Sequence, residues 1–510
     1  MSSPRQLILI MTDTQRTDML GCYADTGVRT PNLDQLASRG VRFDRTYCCQ
    51  PVCGPARSGL FTGTFPHSNG SWANSMPLGA NVKTVGQRLR DNGVRTAYIG
   101  KWHLDGGDYF GLGRCPDGWD PEYWYDMRCY LDELPPEDRR RSRDPKLNRA
   151  GDVTPGFTFG HRCSNRAIRF LETHRDQSYF LVLSYDEPHG PHLCPPQFRA
   201  MYADHEFPRS PNCYDTLEGK PEHQQVWAGR TPGAGKPDPA PIRRPDFFGC
   251  NTFVDSEIGR VLDTVDRHAP DALVIYTADH GDGLGSHGLW GKGPVAYDEI
   301  ARVPLIVRWP GHSPEGGVCE HPTSHIDVTP TVMDYFGLPV PKLLEGKSML
   351  ATMADPATAT NDVVFVEFNR YEIDHDGFGG YQPLRAATDG RHKLVINLLS
   401  SDELYDLQTD PQEMKNRIAS RKYAKVRNGL HDRILRWMDE TRDPFRGYSW
   451  QRRPWRTDAP PATWACSGMT RQRENEEYEP RQLDYDTGLP MVEAVRSKHG
   501  VGRAAKPRQE

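Results

Sequence analysis

Cys53 lies in PVCGPARSGLFTG (51–63), between a Pro-Val and a Gly-Pro, with Arg57 four residues on. Core packing asks for none of that punctuation, and no C-x-x-C pair in the chain offers zinc or disulfide partners. Acids, histidines and lysines collect after four apolar runs. Asp13 follows QLILIM, and Lys101 and His103 follow VRTAYIG. Asp186, Glu187 and His189 follow YFLVLSY in DEPHGPH; Asp279, His280, His287 and Lys292 follow ALVIYT in TADHGDGLGSHGLWGKG. Open parallel sheets bind ligands beyond the carboxyl ends of their strands, so these sets point to one shared site. Singly, Asp13 reads as a loop acid or helix cap and His280 as a satisfied loop histidine; the density of the four sets favours chemistry. Asp13, Asp279 and His280 can offer oxygen and nitrogen ligands to one divalent cation, and such a set suits calcium, magnesium or manganese. Lys101, His103, His189 and Lys292 would then surround an anion. Each lysine attracts a unit charge at contact by about 4 kcal/mol at an effective dielectric near 20. That selects a compact oxyanion, sulfate or phosphate, over a neutral group.

The elements that must position these residues alternate. Residues 6–11, 94–100, 179–185 and 272–277 read as buried strands. TPNLDQLASRG, Thr84–Asn92, and the stretches 161–174 and 246–268 carry helical spacing and end signals. This order predicts an α/β fold with a large mixed, mostly parallel sheet sandwiched by helices. Beyond about residue 375 the pattern changes. LRAATDGRHKLVIN (384–397) reads as a hairpin turning at Asp389-Gly390, and ELYDLQTDPQEMKN leads into a helix. The expected organisation is a catalytic domain over 1–375, a smaller C-terminal α+β subdomain over 376–440, and a polar tail over 441–510. That tail reads as a wrapping segment, an arm between copies of a homo-oligomer, or a partly disordered end. Residues 205–245 read as a long surface excursion.

With 510 residues the chain can bury a large core, and its 43 prolines and 47 glycines imply many ordered loops. A net charge of −5, from 63 basic and 68 acidic residues, gives no global field for nucleic acid or acidic membrane. No apolar run is long enough to span a bilayer, and MSSPRQLILIMTD lacks a signal peptide's pattern, so the expected address is cytoplasmic. Eleven of the twelve cysteines then read as small buried hydrophobes. Gly283, Gly285 and Gly288 form G-x-G-x-x-G, but no amphipathic helix follows, so the glycines are expected to let backbone pass close to a ligand. Asn69-Gly70-Ser71 is a sequon without a secretory context.

Cys53-Gly54-Pro55-Ala56-Arg57 resembles the C-x-P-x-R signature of type I sulfatases, members of the alkaline phosphatase superfamily. IMTDTQRTDMLGCY, TPNLDQLASRGVRFDRTY, YIGKWHL, DEPHGPH, TADHGDGLGSHGLWGKG, VPLIVRWPG and ELYDLQTDPQEMKN resemble that family's other blocks in order, from about residue 6 to 440. The resemblance implies an alkaline-phosphatase-like fold and hydrolysis of a small or carbohydrate sulfate ester. It implies that a formylglycine-generating enzyme oxidises Cys53 to formylglycine, whose hydrate attacks sulfur. The metal, Ca2+ with Mg2+ or Mn2+ as alternatives, would be held by Asp13, Asp279, His280 and residue 53. Arg57 would steady the hydrate, and Lys101 and Lys292 would hold sulfate oxygens. His189 is the candidate acid for the leaving alcohol, and His103 the candidate base that releases sulfate from residue 53.

Three positions depart from the common pattern. Ala56 stands where many members have Ser. Thr14 replaces an acid or amide that commonly ligates the metal, leaving Thr14, Gln15 or water for that place. His280 is also favoured by the related phosphonate monoester and phosphodiester hydrolases, which are the alternative reading. Lys101-x-His103 speaks for the sulfatases, since those relatives resemble Tyr-x-Thr there. A silent binding protein and a direct cysteine hydrolase are further alternatives. The aromatic stretch Trp119–Tyr130 is expected either to stack on sugar faces of a sulfated substrate or to pin a long loop through a hydrophobic cluster.

Overall fold

The structure is a computed structural model. It describes residues 4–460 apart from 75, 107–108, 151–152, 232, 234 and 373–379. Its large sheet has eight strands: β1 (Gln6–Thr12), β2 (Val41–Tyr47), β3 (Arg95–Gly100), β4 (Tyr179–Ser184), β5 (Leu273–Ala278), β6 (Arg302–Arg308), β7 (Gly317–Cys319) and β8 (Thr323–Ser324). The order is β3-β4-β1-β5-β6-β2-β7, with β8 also beside β2. β3, β4, β1 and β5 pair in parallel, and β6 alone runs against its neighbours. β1 explains why its run lacks alternation. Ile8 and Ile10 pack under the helices Pro31–Ser38, Phe159–Thr173 and Pro245–His268, while Leu7, Leu9 and Met11 pack under Cys53–Thr62, Val85–Arg90 and Val328–Tyr335. A strand covered on both faces is apolar at every position.

The small sheet is antiparallel in the order β12-β11-β10-β9. β10 (Leu384–Thr388) and β11 (His392–Asn397) form the hairpin, with Gly390 at φ +86°, and β12 (Glu403–Asp406) follows. β9 (Val364–Phe368) is its outer strand, so this sheet begins before residue 376. The helix Ala424–Glu440 lays Leu430, Ile434, Leu435 and Met438 on it. Residues just past that helix wrap back over the sheet. Asp443 pairs with Arg385, Arg453 pairs with Asp402, and Trp450 is buried. The remainder of the tail, with Cys466, lies outside the described residues.

The structure decides three expectations. Trp119, Tyr123, Trp124 and Tyr125 are all buried, with Trp119 and Trp124 against Tyr98 and Trp102. They are the hydrophobic cluster that pins the loop and present no face to a sugar. Residues 205–245 run over the surface as expected, and a buried network anchors them. Lys220 Nζ meets Asp215 Oδ2 at 2.6 Å, and His287 Nδ1 meets the same oxygen at 2.7 Å. His287 also stacks on Tyr297, away from the cation ligands. Third, the loop glycines meet protein at close range: a Cβ on Gly283 would sit 2.6 Å from the Leu289 carbonyl, and one on Gly288 would sit 2.5 Å from the Arg230 guanidinium. Asn69 of the sequon is buried, its amide donating to Ser58, Thr62 and Thr64. No disulfide joins the described cysteines.

His67, just beyond the helix Cys53–Thr62, ties that segment to the small sheet and its helix. Its Nδ1 meets Glu367 on β9, its Nε2 meets Thr441 Oγ1 at 2.9 Å, and its ring lies edge-on to Trp437. Burial opposes a charge on this ring, but Glu367 outweighs it and raises the affinity for a proton. A histidine raised on folding stabilises fully below its unfolded value near 6.5, and the contribution fades as pH climbs through the higher folded value. The denaturant midpoint is therefore expected to fall as pH rises from about 6.5 through that higher folded value, and to level off beyond it. His67→Gln is expected to flatten that fall, whereas an unchanged slope in the variant would assign the dependence elsewhere.

Candidate active site

Five parallel strands deliver the site from the same sheet edge. β1 ends at Asp13, β3 at Lys101, β4 just before Asp186, β5 at Asp279, and β2 leads through a short loop to Cys53. Gly100 makes one of these exits feasible: it has φ +122°, and a Cβ there would sit 1.8 Å from the Ser184 carbonyl. The helix expected from Pro55 begins two residues earlier, at Cys53, so the sulfur stands in its first turn. Pro55 fits there because first-turn N–H groups have no partner within the helix. The Gly54 N–H donates to Asn74 Oδ1 at 2.9 Å.

Asp13, Cys53, Asp279 and His280 each turn one ligand atom into a group whose members lie within 4.8 Å of one another, all buried. His280 Nδ1 sits 2.8 Å from the Gly281 carbonyl. A carbonyl only accepts, so Nδ1 carries the proton and Nε2 keeps its lone pair for the group. Two carboxylates and such an imidazole fit a divalent cation. Thr14 has φ +62°, an outlying backbone for a β-branched residue, and its hydroxyl donates to Asp13 Oδ1 at 2.7 Å. Gln15 turns away from the group: its Nε2 donates to Asn251, and its Oε1 accepts from Thr12 and Tyr276.

Arg57 is fully buried beneath these ligands. It donates to Asp279 Oδ2 (3.1 Å), Lys101 O (2.8 Å), Ser184 Oγ (2.8 Å) and Asp13 Oδ2 (3.4 Å). Lys292 Nζ lies 2.7 Å from Cys53 Sγ and 2.9 Å from His280 Nε2. Burial and Asp13 oppose a thiolate at Cys53, but Lys292, Lys101 and His280 pull the thiol down to about 5. Lys101 Nζ meets Asp13 Oδ2 at 2.6 Å, Tyr109 OH at 2.8 Å and Asp186 Oδ1 at 3.1 Å. His189 lies beyond, its Nδ1 2.9 Å from Tyr109 OH. Burial, with Lys101 and Lys292, brings His189 down to about 4. His103, at φ +58°, backs onto Gly54; its Nδ1 is buried without a protein partner, and burial with Lys101 holds its ring neutral.

Asp13, Cys53, Arg57, Lys101, Asp279, His280 and Lys292 thus converge here with His103 and His189 on the rim, whereas His287 and Gln15 turn elsewhere and Glu187 accepts from the Gly160 N–H. Tyr109 was not foreseen: it sits in an irregular segment with no motif spacing to mark it. A ligand group suited to a cation, a cysteine in a helix's first turn and two lysines together make a site that fits an anionic ester.

A mixed sheet of this order, with a C-terminal sheet subdomain, is the alkaline-phosphatase-like architecture. The sulfatase family model matches residues 5–338, and the model for the C-terminal part of N-sulphoglucosamine sulphohydrolase matches 285–440. The chain therefore belongs to the type I sulfatases of the alkaline phosphatase superfamily, and it is a sulfuric ester hydrolase. A relative in Escherichia coli K12, the uncharacterized sulfatase YidJ, is 44% identical over 492 residues, covering 95% of this chain and 96% of its own. An N-acetylglucosamine-6-O-sulfatase of Bacteroides thetaiotaomicron is 24% identical over 86% of each chain. Two solved structures share the fold. One holds its substrate D-glucosamine-2-N,6-O-disulfate (TM-score 0.70, 21% identity, 87% of this chain and 99% of that one). The other is the phosphonate monoester hydrolase of Agrobacterium radiobacter (TM-score 0.67, 24% identity, 86% and 96%). Sulfatases generally use a metal ion and formylglycine, and the buried ligand group is the candidate place for that ion. Among the described residues no helix is long and apolar enough to cross a membrane.

Proposed function

We propose that this sulfatase acts through formylglycine at position 53 and a calcium ion held by Asp13, Asp279, His280 and residue 53. The observation that carries the reading is the placement of Cys53. Its sulfur lies 2.7 Å from Lys292 Nζ and 3.1 Å from His280 Nε2, inside the ligand group. Magnesium or manganese would satisfy the same donors. When bound, the cation supplies Lewis acidity toward the sulfate and the attacking hydroxyl. Thr14 supports Asp13 through its hydroxyl rather than replacing a carboxylate.

The chain's own groups do the rest. Lys292 faces the nucleophile and places a positive charge beside the entering sulfate. Lys101 holds Asp13 in position and lends its charge to the same cavity. A bound sulfate monoester brings negative charge toward His189 and raises that ring's affinity for a proton, which it then gives to the leaving oxygen. His103, neutral in the free protein, takes the proton that frees sulfate from residue 53. Arg57 holds the two metal-facing carboxylates apart.

The substrate is proposed to be a sulfated sugar or another small sulfate ester. Support comes from the relative that is an N-acetylglucosamine-6-O-sulfatase and from the structure holding a glucosamine disulfate. The cytoplasmic address and maturation by a formylglycine-generating enzyme stay part of the proposal. The division into a catalytic domain, a small C-terminal subdomain and a tail stays part of the proposal, with the subdomain drawn to include β9 and the residues just past 440 that pack on its sheet.

The test is the mass of tryptic peptide Thr46–Arg57, TYCCQPVCGPAR, from a host that matures such cysteines. The expected species has lost sulfur and two hydrogens, gained one oxygen, and reacts with a carbonyl trap. A peptide carrying only thiol would overturn the formylglycine reading.

A further inference from the structure

We infer that Tyr109 is a positioning residue for sulfate ester cleavage, fixing which nitrogen of His189 faces the leaving group. The inference rests on His189 being the acid. Three groups meet at the Tyr109 hydroxyl: Lys101 Nζ at 2.8 Å, His189 Nδ1 at 2.9 Å, and Asp186 Oδ1, which accepts a short hydrogen bond. Lys101 Nζ also lies 4.0 Å from the centre of the phenol ring. Arg143 reaches the same cluster, 3.9 Å from Asp186 Oδ2 and 5.5 Å from the ring centre.

The protons in this cluster can be assigned by elimination. Asp186 is held below the usual carboxylate range: burial opposes this, but Lys101, His189 and Arg143 prevail. As a carboxylate it only accepts, so the single Tyr109 proton goes to Asp186. An ammonium only donates, so Lys101 gives a proton to the phenol oxygen. The oxygen's remaining lone pair must then receive the His189 Nδ1–H. The Gly190 carbonyl, 3.0 Å from the same nitrogen, demands the same tautomer. Nε2 is thereby left as the nitrogen that faces the ester. As the S–O bond breaks, its electron pair passes to the leaving oxygen. Nε2 gives its proton to that oxygen, and the ring is left neutral with Nδ1–H still bonded.

This arrangement also accounts for Lys101. Its three N–H groups are matched by Asp13, Tyr109 and Asp186. Tyr109 therefore joins the cation group, through Lys101, to the acid on the rim.

The test is Tyr109→Phe, which removes one oxygen from a half-buried ring. An acid matters for a poor leaving group and little for a good one. In the mature protein, turnover of phenyl sulfate is expected to fall about 10–100-fold through kcat, the range for loss of an orienting partner. Turnover of 4-nitrophenyl sulfate should fall far less. His189→Gln is expected to show the same split more strongly, and Tyr109→Phe should add little on top of it. Equal losses on both esters in Tyr109→Phe would overturn the inference while His189→Gln still splits them. Absence of the split in His189→Gln would instead overturn the acid assignment. Nitrogen-15 NMR of the His189 ring reads the contact without turnover: Nδ1 should shift in Tyr109→Phe, and an unmoved Nδ1 also overturns the inference.

Discussion

Cys53→Ser is expected to abolish multiple turnover, lowering the steady-state rate by about 10⁴-fold or more, the scale seen when a nucleophile is removed. It should leave the fold intact. Oxygen for sulfur in a buried first turn changes little volume, and Lys292 at 2.7 Å and His280 at 3.1 Å remain to receive it. The reason for the loss is chemical. A hydrate carries two hydroxyls on one carbon, so after sulfur transfer the second can expel sulfate by elimination. Serine has no second hydroxyl, and a serine sulfate could leave only by direct attack of water. The variant should therefore gain the mass of one SO3 group on the peptide containing position 53 after incubation with substrate, and then stop. Cys53→Ala should be inert without that gain. Sustained turnover by either variant would refute the assignment of residue 53 as nucleophile. The mass experiment on the parent protein asks a different thing, whether the cysteine has been oxidised at all.

The site was legible in the sequence because its parts sit where a parallel sheet must put them. Asp13, Lys101 and Asp279 directly follow β1, β3 and β5, so an apolar run followed by a charge was enough to find each. Cys53 was marked by its neighbours: Pro55 in the helix's first turn and Arg57 one turn below the ligands. The fold was legible for the same reason. A strand covered on both faces, as β1 is, reads as an unbroken apolar run. What could not be read was anything set by long-range closure. Tyr109 reaches His189 across eighty residues, from a segment whose local pattern is only a turn. The aromatic stretch near Trp119 carries the composition of a sugar platform and of a packed cluster alike. Only burial against Tyr98 and Trp102 separates them. The Asp215–Lys220–His287 network was hidden similarly, since polar residues in a Pro- and Gly-rich segment resemble solvated loop until their partners are known.

Arg57→Met is expected to lower the free energy of unfolding by about 3–5 kcal/mol, the cost of leaving buried charges without their partner. The guanidinium is fully buried and lies 3.0 Å from Asp279 Oδ2 and 3.4 Å from Asp13 Oδ2, both carboxylates also fully buried. Its remaining donors go to the Lys101 carbonyl and Ser184 Oγ, which join β3 to β4 at the sheet edge. Methionine fills a similar volume, so packing alone would cost little, and the loss measures charge and hydrogen bonding. Lysine restores the charge but as a single point, unable to span four acceptors, so Arg57→Lys should recover only part of the stability. The measurement is the denaturant midpoint of the three proteins at one pH in excess Ca2+, which keeps ligand occupancy from differing by choice of buffer. Ordering of parent above Lys above Met is the expected result. A Met variant as stable as the parent would show that the cation alone balances Asp13 and Asp279, and that Arg57 serves catalysis without holding the site together.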